Sequence, residues 1–227
     1  MRYDTLLLDL DGTLLDFHKS QAATFFDCFP GASPELYEQF ETINRAQWAR
    51  LERGEASREE ILHERFALFL REANLPGDPD EMNRRYLDRL ACGCDVIDSA
   101  PETVRELSDR CTLAIVTNGV SSVQRRRLRE SGLLPFFKTV VISEEVGVTK
   151  PDPRLFEIAM ENCSVKDPAK VLVVGDSLTA DIAGGYAAGL DTCWMNTEGL
   201  PVPQDCPAAW VIRRPSQLIA IVSGKEA

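Results

Sequence analysis

Thr5-Leu-Leu-Leu-Asp9-Leu-Asp11-Gly12-Thr13 begins as an apolar run of strand length and ends in two carboxylates and a glycine. The run Thr5–Leu10 has four counterparts downstream, at Thr112–Thr117, Thr139–Ser143, Lys170–Val174 and Thr192–Met195. Their Leu, Ile and Val content is nearly continuous rather than alternating, which suits strands covered on both faces and hence a parallel sheet. Segments of helical character lie between them. Ser121–Ser131 ends at Gly132, Asp152-Pro153 pairs an N-cap with a proline at the first helical position, and Thr179–Ala188 ends at Gly189. A last strand at Trp210–Ile212 and a helix at Ser216–Val222 complete the series. Strand–helix alternation of this kind predicts an α/β fold with a doubly wound parallel sheet.

From about Phe17 to Asp95 the alternation stops and the pattern turns helical. Leu36, Phe40, Ile43 and Leu51, with Trp48 nearby, recur at the helical period. Ser57-x-x-Glu60 has the spacing of a capping box ahead of Ile61, Leu62, Phe66 and Phe69. Pro76-Gly-Asp-Pro79 interrupts the chain before Met82–Leu90. An insertion of roughly 80 residues exceeds what a loop holds. The expectation is therefore an α-helical cap domain over 17–95, set over the carboxyl edge of a sheet formed by 1–16 and 96–227.

Composition narrows the partners. The chain has 227 residues, with 25 Lys+Arg against 36 Asp+Glu, and its formal net charge of −11 would repel a nucleic-acid duplex or an anionic membrane. A hydrophobic content of 44% supplies a packed core and excludes disorder as the main state. With two histidines, His18 and His63, and no zinc-like spacing to the cysteines, a zinc site is not expected. Seven scattered cysteines fit reduced thiols, and the close pair Cys92-Gly-Cys94 reads as two ordinary thiols. Met-Arg-Tyr-Asp leads into no long apolar run, so the expectation is a soluble, cytoplasmic protein. The basic run Arg125–Arg127, next to acidic neighbours, reads as a solvated helix face.

Polar residues interrupt the strand pattern at one recurring place. Asp9 and Asp11 end the first strand, Thr117-Asn118-Gly119 the second, and Gly175-Asp176-Ser177 the fourth, with Asp181 just beyond; Lys150 follows the third after a loop. Ligands of open α/β sheets bind outside the carboxyl ends of the strands, so these groups share one crevice. Crowded carboxylates raise one another's pKa unless a cation lies among them. Asp9, Asp176 and Asp181 offer oxygen only, which favours Mg²⁺ over zinc or copper. Asp9 and Asp11, two apart on an extended strand, share a face, so one could attack while the other handles a proton. Lys150 supplies a compact positive charge for a transferring phosphoryl group.

Asp9-Leu-Asp-Gly-Thr-Leu-Leu-Asp16, Thr117-Asn-Gly119, Lys150-Pro-Asp-Pro153 and Gly175-Asp-Ser-Leu-Thr-Ala-Asp181 resemble the four motifs of the haloacid dehalogenase (HAD) superfamily. The resemblance spans the chain, including a helical cap inserted after the first motif. Thr117–Arg125, Ile142–Pro151 and Asp191–Asn196 further resemble the YjjG-type pyrimidine 5′-nucleotidases. It implies a Rossmann-like core and a phosphomonoester hydrolase with Asp9 as nucleophile, through an aspartyl-phosphate, and Asp11 as acid and then base. It implies Mg²⁺ held by the carboxylates of Asp9 and Asp176 and the main-chain carbonyl of Asp11. Thr117, the Asn118 amide and Lys150 would bind the phosphoryl oxygens, and Asp181 would orient Lys150 or a metal-bound water. In the cap, Arg58 is a candidate substrate contact or a solvated first-turn residue. Trp48, and with it Phe17, offers an aromatic surface to a base, though the spacing of Trp48 also suits core packing. The implied partner is a small phosphorylated metabolite, a pyrimidine nucleoside 5′-monophosphate first. The alternatives are a sugar phosphate such as an N-acylneuraminate 9-phosphate, or 2-haloacid dehalogenation, against which the carboxylate of Asp11 counts.

Overall fold

Each apolar run of the core forms a strand in the computed structural model, which describes residues 1–224; the final residues of the expected core segment, 225–227, lie outside the described ones. The strands are β1 (Thr5–Leu8), β2 (Thr112–Thr117), β3 (Thr139–Ile142), β4 (Val171–Gly175), β5 (Asp191–Met195) and β6 (Trp210–Ile212). The helices, in chain order, are α1 (Phe17–Cys28), α2 (Pro34–Glu52), α3 (Arg58–Glu72), α4 (Pro79–Leu90), α5 (Ala100–Ser108), α6 (Ser121–Glu130), α7 (Ser143–Val146), α8 (Pro153–Cys163), α9 (Ala183–Ala187) and α10 (Leu218–Ser223). The chain divides into two compact units, Met1–Phe17 with the chain from Cys94 onward, and His18–Gly93.

In the first unit the strands form one parallel sheet in the order β3-β2-β1-β4-β5-β6. Both faces of the central strands β1, β2 and β4 are buried, as continuous apolar runs require. Leu6, Leu8, Leu113, Ile115, Leu172 and Val174 point to one face, packed with Val104 and Leu107 of α5, Leu128 of α6 and Ile221 of α10. Leu7, Ala114, Val116, Val171 and Val173 point to the other, against Leu155, Phe156 and Ala159 of α8. The order reverses between β1 and β4, so the ends of these two strands border the crevice of the topological switch. Leu8 pairs with Val174, and the Asp9 N–H donates to the Val174 carbonyl at 2.8 Å, carrying the pairing one residue past the strand.

The stretch expected to be one helix over Thr179–Ala188 differs. It is a π-helical turn, Leu178–Ile182, followed by the short α9. Ser177 caps the turn, its hydroxyl accepting from the Ala180 N–H at 3.0 Å, and the wider winding accompanies a buried Asp181 turned back toward the sheet. The helix at the C-terminal end likewise opens with a 3₁₀ turn, Pro215–Gln217, ahead of α10.

The second unit is helical, and α2, α3 and α4 pack in sequence. Its centre is aromatic: Phe25, Phe40, Phe66, Phe69 and Tyr86 are buried, with Phe25 stacked on Phe40 at 5.2 Å. Ser57 caps α3 in the reciprocal box with Glu60. Polar residues occupy this core as well. Arg65, buried, donates to the Oδ1 atoms of Asn83 and Asn44, and Asn44 donates to Gln21. Burial pushes the Arg65 pKa down to about 10. Among the described residues no helix is long and apolar enough to cross a membrane.

Candidate active site

Side chains from the carboxyl ends of β1, β2 and β4, and from the loop before α8, meet in the first unit. Lys150 is their hub. Its Nζ donates to Asp9 Oδ1 at 2.6 Å, to Asp181 Oδ1 at 2.6 Å and to the Val116 carbonyl at 2.9 Å. An ammonium has three hydrogens, so this one is fully spent on the protein, and its influence on a ligand is that of a fixed charge. Asp181 has both oxygens engaged, Oδ1 by Lys150 and Oδ2 by the Ser177 N–H at 3.1 Å. Gly175 is glycine for a spatial reason, since a Cβ there would lie 2.1 Å from Asp181 Cγ.

Asp176 stands at the mouth of the crevice, with Thr13 donating to its Oδ1 at 3.5 Å and Trp194 Nε1 donating to its carbonyl at 2.9 Å. Gly12 faces it. With φ at +74° and a would-be Cβ 2.4 Å from Asp176 Oδ2, this position excludes a side chain twice over. Carboxylate oxygens of Asp9, Asp176 and Asp181 lie within 4.8 Å of one another. Three carboxylates against one ammonium leave an excess of negative charge. Burial, partly offset by Lys150 and reinforced by Asp181, pushes Asp9 up to about 7. Asp176 presents surface to solvent, yet the dense protein around it and the charges of Asp9 and Asp181 raise it well above the usual carboxylate value. The set suits a hard divalent cation: oxygen donors only, close together, with charge to be neutralised.

Thr117 Oγ1 accepts from the Gly119 N–H at 3.2 Å and from Gln124 Nε2 at 2.9 Å. The Asn118 side chain bridges strand and loop, accepting from the Lys150 N–H at 2.9 Å and donating to the Lys150 carbonyl at 3.0 Å. Asp11 is held from α6, accepting at Oδ2 from Gln124 Nε2 at 2.8 Å and at Oδ1 from Arg127. Arg127 corrects the reading of Arg125–Arg127 as a solvated face. Arg125 does face outward, paired with Glu145, but Arg127 is 0% exposed, because the buried side of α6 carries it to the Asp11 carboxylate. Phe17 lies with this group, the Arg127 guanidinium 5.8 Å from its ring centre. Apolar periodicity gives no signal for polar residues on a buried helix face, such as Gln124 and Arg127. The spacing of Asp11, Gln124 and Arg127 in sequence gives no hint of their meeting.

Residues 3–189 match the haloacid dehalogenase-like hydrolase family. The chain is a haloacid dehalogenase-like hydrolase. Over 98% of its length the hydrolase is 39% identical to the HAD-hydrolase YfnB of Bacillus subtilis, covering 96% of that protein. A crystal structure of YfnB bound to magnesium superposes with a TM-score of 0.92 at 37% identity, covering 98% of this chain and all of the other. The hydrolase is also 30% identical to the pyrimidine 5′-nucleotidase YjjG of Escherichia coli, over 93% of this chain and 94% of that one. The pyrimidine 5′-nucleotidase PynA of Streptococcus pneumoniae is 34% identical, over 88% of this chain and 86% of PynA.

In the helical unit, Trp48 lies on α2 and is half-buried, outside the aromatic core formed by Phe40 and its neighbours. Arg58 is the first residue of α3, directly after the capping serine, and is also half-buried. The seven cysteines are free thiols.

Proposed function

We propose that this hydrolase is a Mg²⁺-dependent phosphomonoesterase working through an aspartyl-phosphate on Asp9, with pyrimidine nucleoside 5′-monophosphates as preferred substrates. The observation that carries the reaction class is the buried Lys150 ammonium fixed between Asp9 and Asp181, with Asp176 within cation-sharing distance of both. Asp9 and Asp176, with the main-chain carbonyl of Asp11, would hold the metal. Asp181, spent on Lys150 and Ser177, would act behind them. When bound, Mg²⁺ would offset the charge that the carboxylates and a phosphate dianion bring to one place.

In the first half, Asp9 forms a bond to phosphorus as the bond to the ester oxygen breaks, and that oxygen leaves with the electron pair. Asp11, entering protonated, gives its proton to the leaving oxygen. In the second half a water attacks the same phosphorus and its proton goes to Asp11. The bond to Asp9 breaks, inorganic phosphate is released and the Asp9 carboxylate is restored. Lys150 tethers Asp9 by Oδ1, which leaves Oδ2 as the attacking atom. Thr117 already accepts two hydrogen bonds, so its own hydrogen points to a further acceptor, the part a phosphoryl oxygen would take. Because the Asn118 side chain is committed to Lys150, a phosphoryl contact from this residue falls to its main-chain N–H.

Support for the substrate class comes from the relatives named pyrimidine 5′-nucleotidases and from the resemblance around Thr117–Arg125, Ile142–Pro151 and Asp191–Asn196. We assign the helical segment 17–95 the part of a cap that selects the leaving group, with Arg58 and Trp48 as its candidate contacts. The test is phosphate release with Mg²⁺ from matched pyrimidine and purine 5′-monophosphates and N-acylneuraminate 9-phosphate. A ~10- to 100-fold higher kcat/KM for the pyrimidines is expected, the size that a few base contacts give. A lead for the sugar phosphate overturns the nucleotide assignment, and silence toward every phosphomonoester overturns the reaction.

A further inference from the structure

Gln124 and Arg127 are three residues apart on α6 and therefore share one face of the helix. That face is buried, at 1% and 0% exposure, although both side chains end in polar groups. Arg127 Nη1 donates to Asp11 Oδ1 in an ion pair, and Gln124 Nε2 donates to Asp11 Oδ2 at 2.8 Å. Carboxylate oxygens only accept, so the amide must present its nitrogen here, and its second hydrogen goes to Thr117 Oγ1 at 2.9 Å. Gly119 makes room for this arrangement, since a Cβ on it would lie 2.4 Å from Gln124 Nε2. A guanidinium without solvent is tolerated when its charge is met, and Asp11, with a quarter of its side chain exposed, meets it from the edge of the site.

We propose that Gln124 and Arg127 are positioning residues that fix the orientation of the Asp11 carboxyl group for the second half of the reaction, in which water attacks the aspartyl-phosphate. The inference rests on the phosphatase reading above. With one donor on each oxygen the plane of the carboxylate is set, while each oxygen keeps a lone pair for the incoming proton. The water oxygen bonds to phosphorus, its proton passes to Asp11, and the electron pair of the broken P–O bond returns to Asp9. Arg127 reaches the reacting groups through Asp11. Gln124 has a second task, because its hydrogen bond to Thr117 keeps that hydroxyl turned outward as a donor.

The two tasks separate kinetically in the full-length, Mg²⁺-loaded protein with p-nitrophenyl phosphate, whose leaving group needs no proton from Asp11. For this substrate kcat/KM reports formation of the aspartyl-phosphate, whereas kcat also includes its hydrolysis. Arg127→Met is expected to lower kcat by about 10- to 100-fold while kcat/KM stays within about threefold. A burst of p-nitrophenol and acid-trapped phosphoprotein should accompany the change. Arg127→Lys, which keeps the charge but not the fork, should show the same split at smaller size, and it carries the test if Arg127→Met does not fold. Gln124→Met should lower both constants, through Thr117 as well as Asp11. A parallel fall of kcat and kcat/KM in the Arg127 variants, without a burst, overturns the positioning role while leaving the phosphatase reading in place. A wild-type protein inert toward every phosphomonoester overturns both.

Discussion

Asp9 and Gly12 show how much of the site depends on single atoms. Asp9→Asn preserves shape and a hydrogen-bonding side chain but removes the proposed nucleophile, so turnover should fall by at least roughly two to four powers of ten with the fold intact. Phosphate release and far-ultraviolet circular dichroism, measured on the same preparation, check both halves; retention of more than about a tenth of the wild-type rate would remove Asp9 from the nucleophile's place. Gly12→Ala puts a methyl group 2.4 Å from Asp176 Oδ2 at a backbone angle that L side chains rarely adopt. The carboxylate must move, and the expected outcome is a higher Mg²⁺ concentration for half-maximal activity. An unchanged Mg²⁺ titration would separate Asp176 from metal binding.

At the scale of elements, the capping box of α3 joins Ser57 and Glu60 through two reciprocal hydrogen bonds, at 3.2 and 2.7 Å. Ser57→Ala leaves the Glu60 N–H without its side-chain acceptor and should cost about 1 kcal/mol, read from urea unfolding of the full chain. A change below a few tenths would mean that water replaces the box without loss. That box was legible in the sequence, as were the strands of the sheet, because burial on both faces leaves continuous apolar runs and the function-bearing ends interrupt them with Asp, Thr and Gly. The turn at Leu178–Ile182 was not. Its winding answers to Asp181 reaching Lys150, a tertiary demand that local propensity does not record. Nor were the polar cores legible: Asn44, Gln47 and Arg65 sit on buried helix faces, where the apolar period alone predicts hydrophobic side chains. In the site, the groups at strand ends are readable from topology, while Gln124 and Arg127 lie on the buried face of α6, which only the tertiary packing turns toward Asp11.

For the molecule as a whole, buried thiols set an alkaline limit. Cys111, with its Sγ donating to the Tyr3 carbonyl at 3.6 Å, is pushed up to about 11 by burial. An unfolded cysteine titrates near 8.5. Above that pH the unfolded chain loses a proton that the folded chain keeps, so the stability present below about 8.5 is lost as pH climbs toward 11, by about 1–2 kcal/mol at pH 10. Urea unfolding at pH 7.5 and pH 10 should show this loss, and Cys111→Val should shrink the difference between the two; an equal difference in both proteins would assign the alkaline limb elsewhere. The position of β1 carries a different consequence, for synthesis on the ribosome. β1 lies inside the sheet, between β2 and β4, and Thr5 pairs with Thr112 on one side and Val171 on the other. This strand is translated before both of its neighbours and satisfied late, since the second of them emerges only after both the helical unit and β3 have been made. Until then the growing chain carries an open apolar edge, a ready template for pairing with other nascent chains, and co-translational shielding of Thr5–Leu8 becomes part of what the fold demands of its cell.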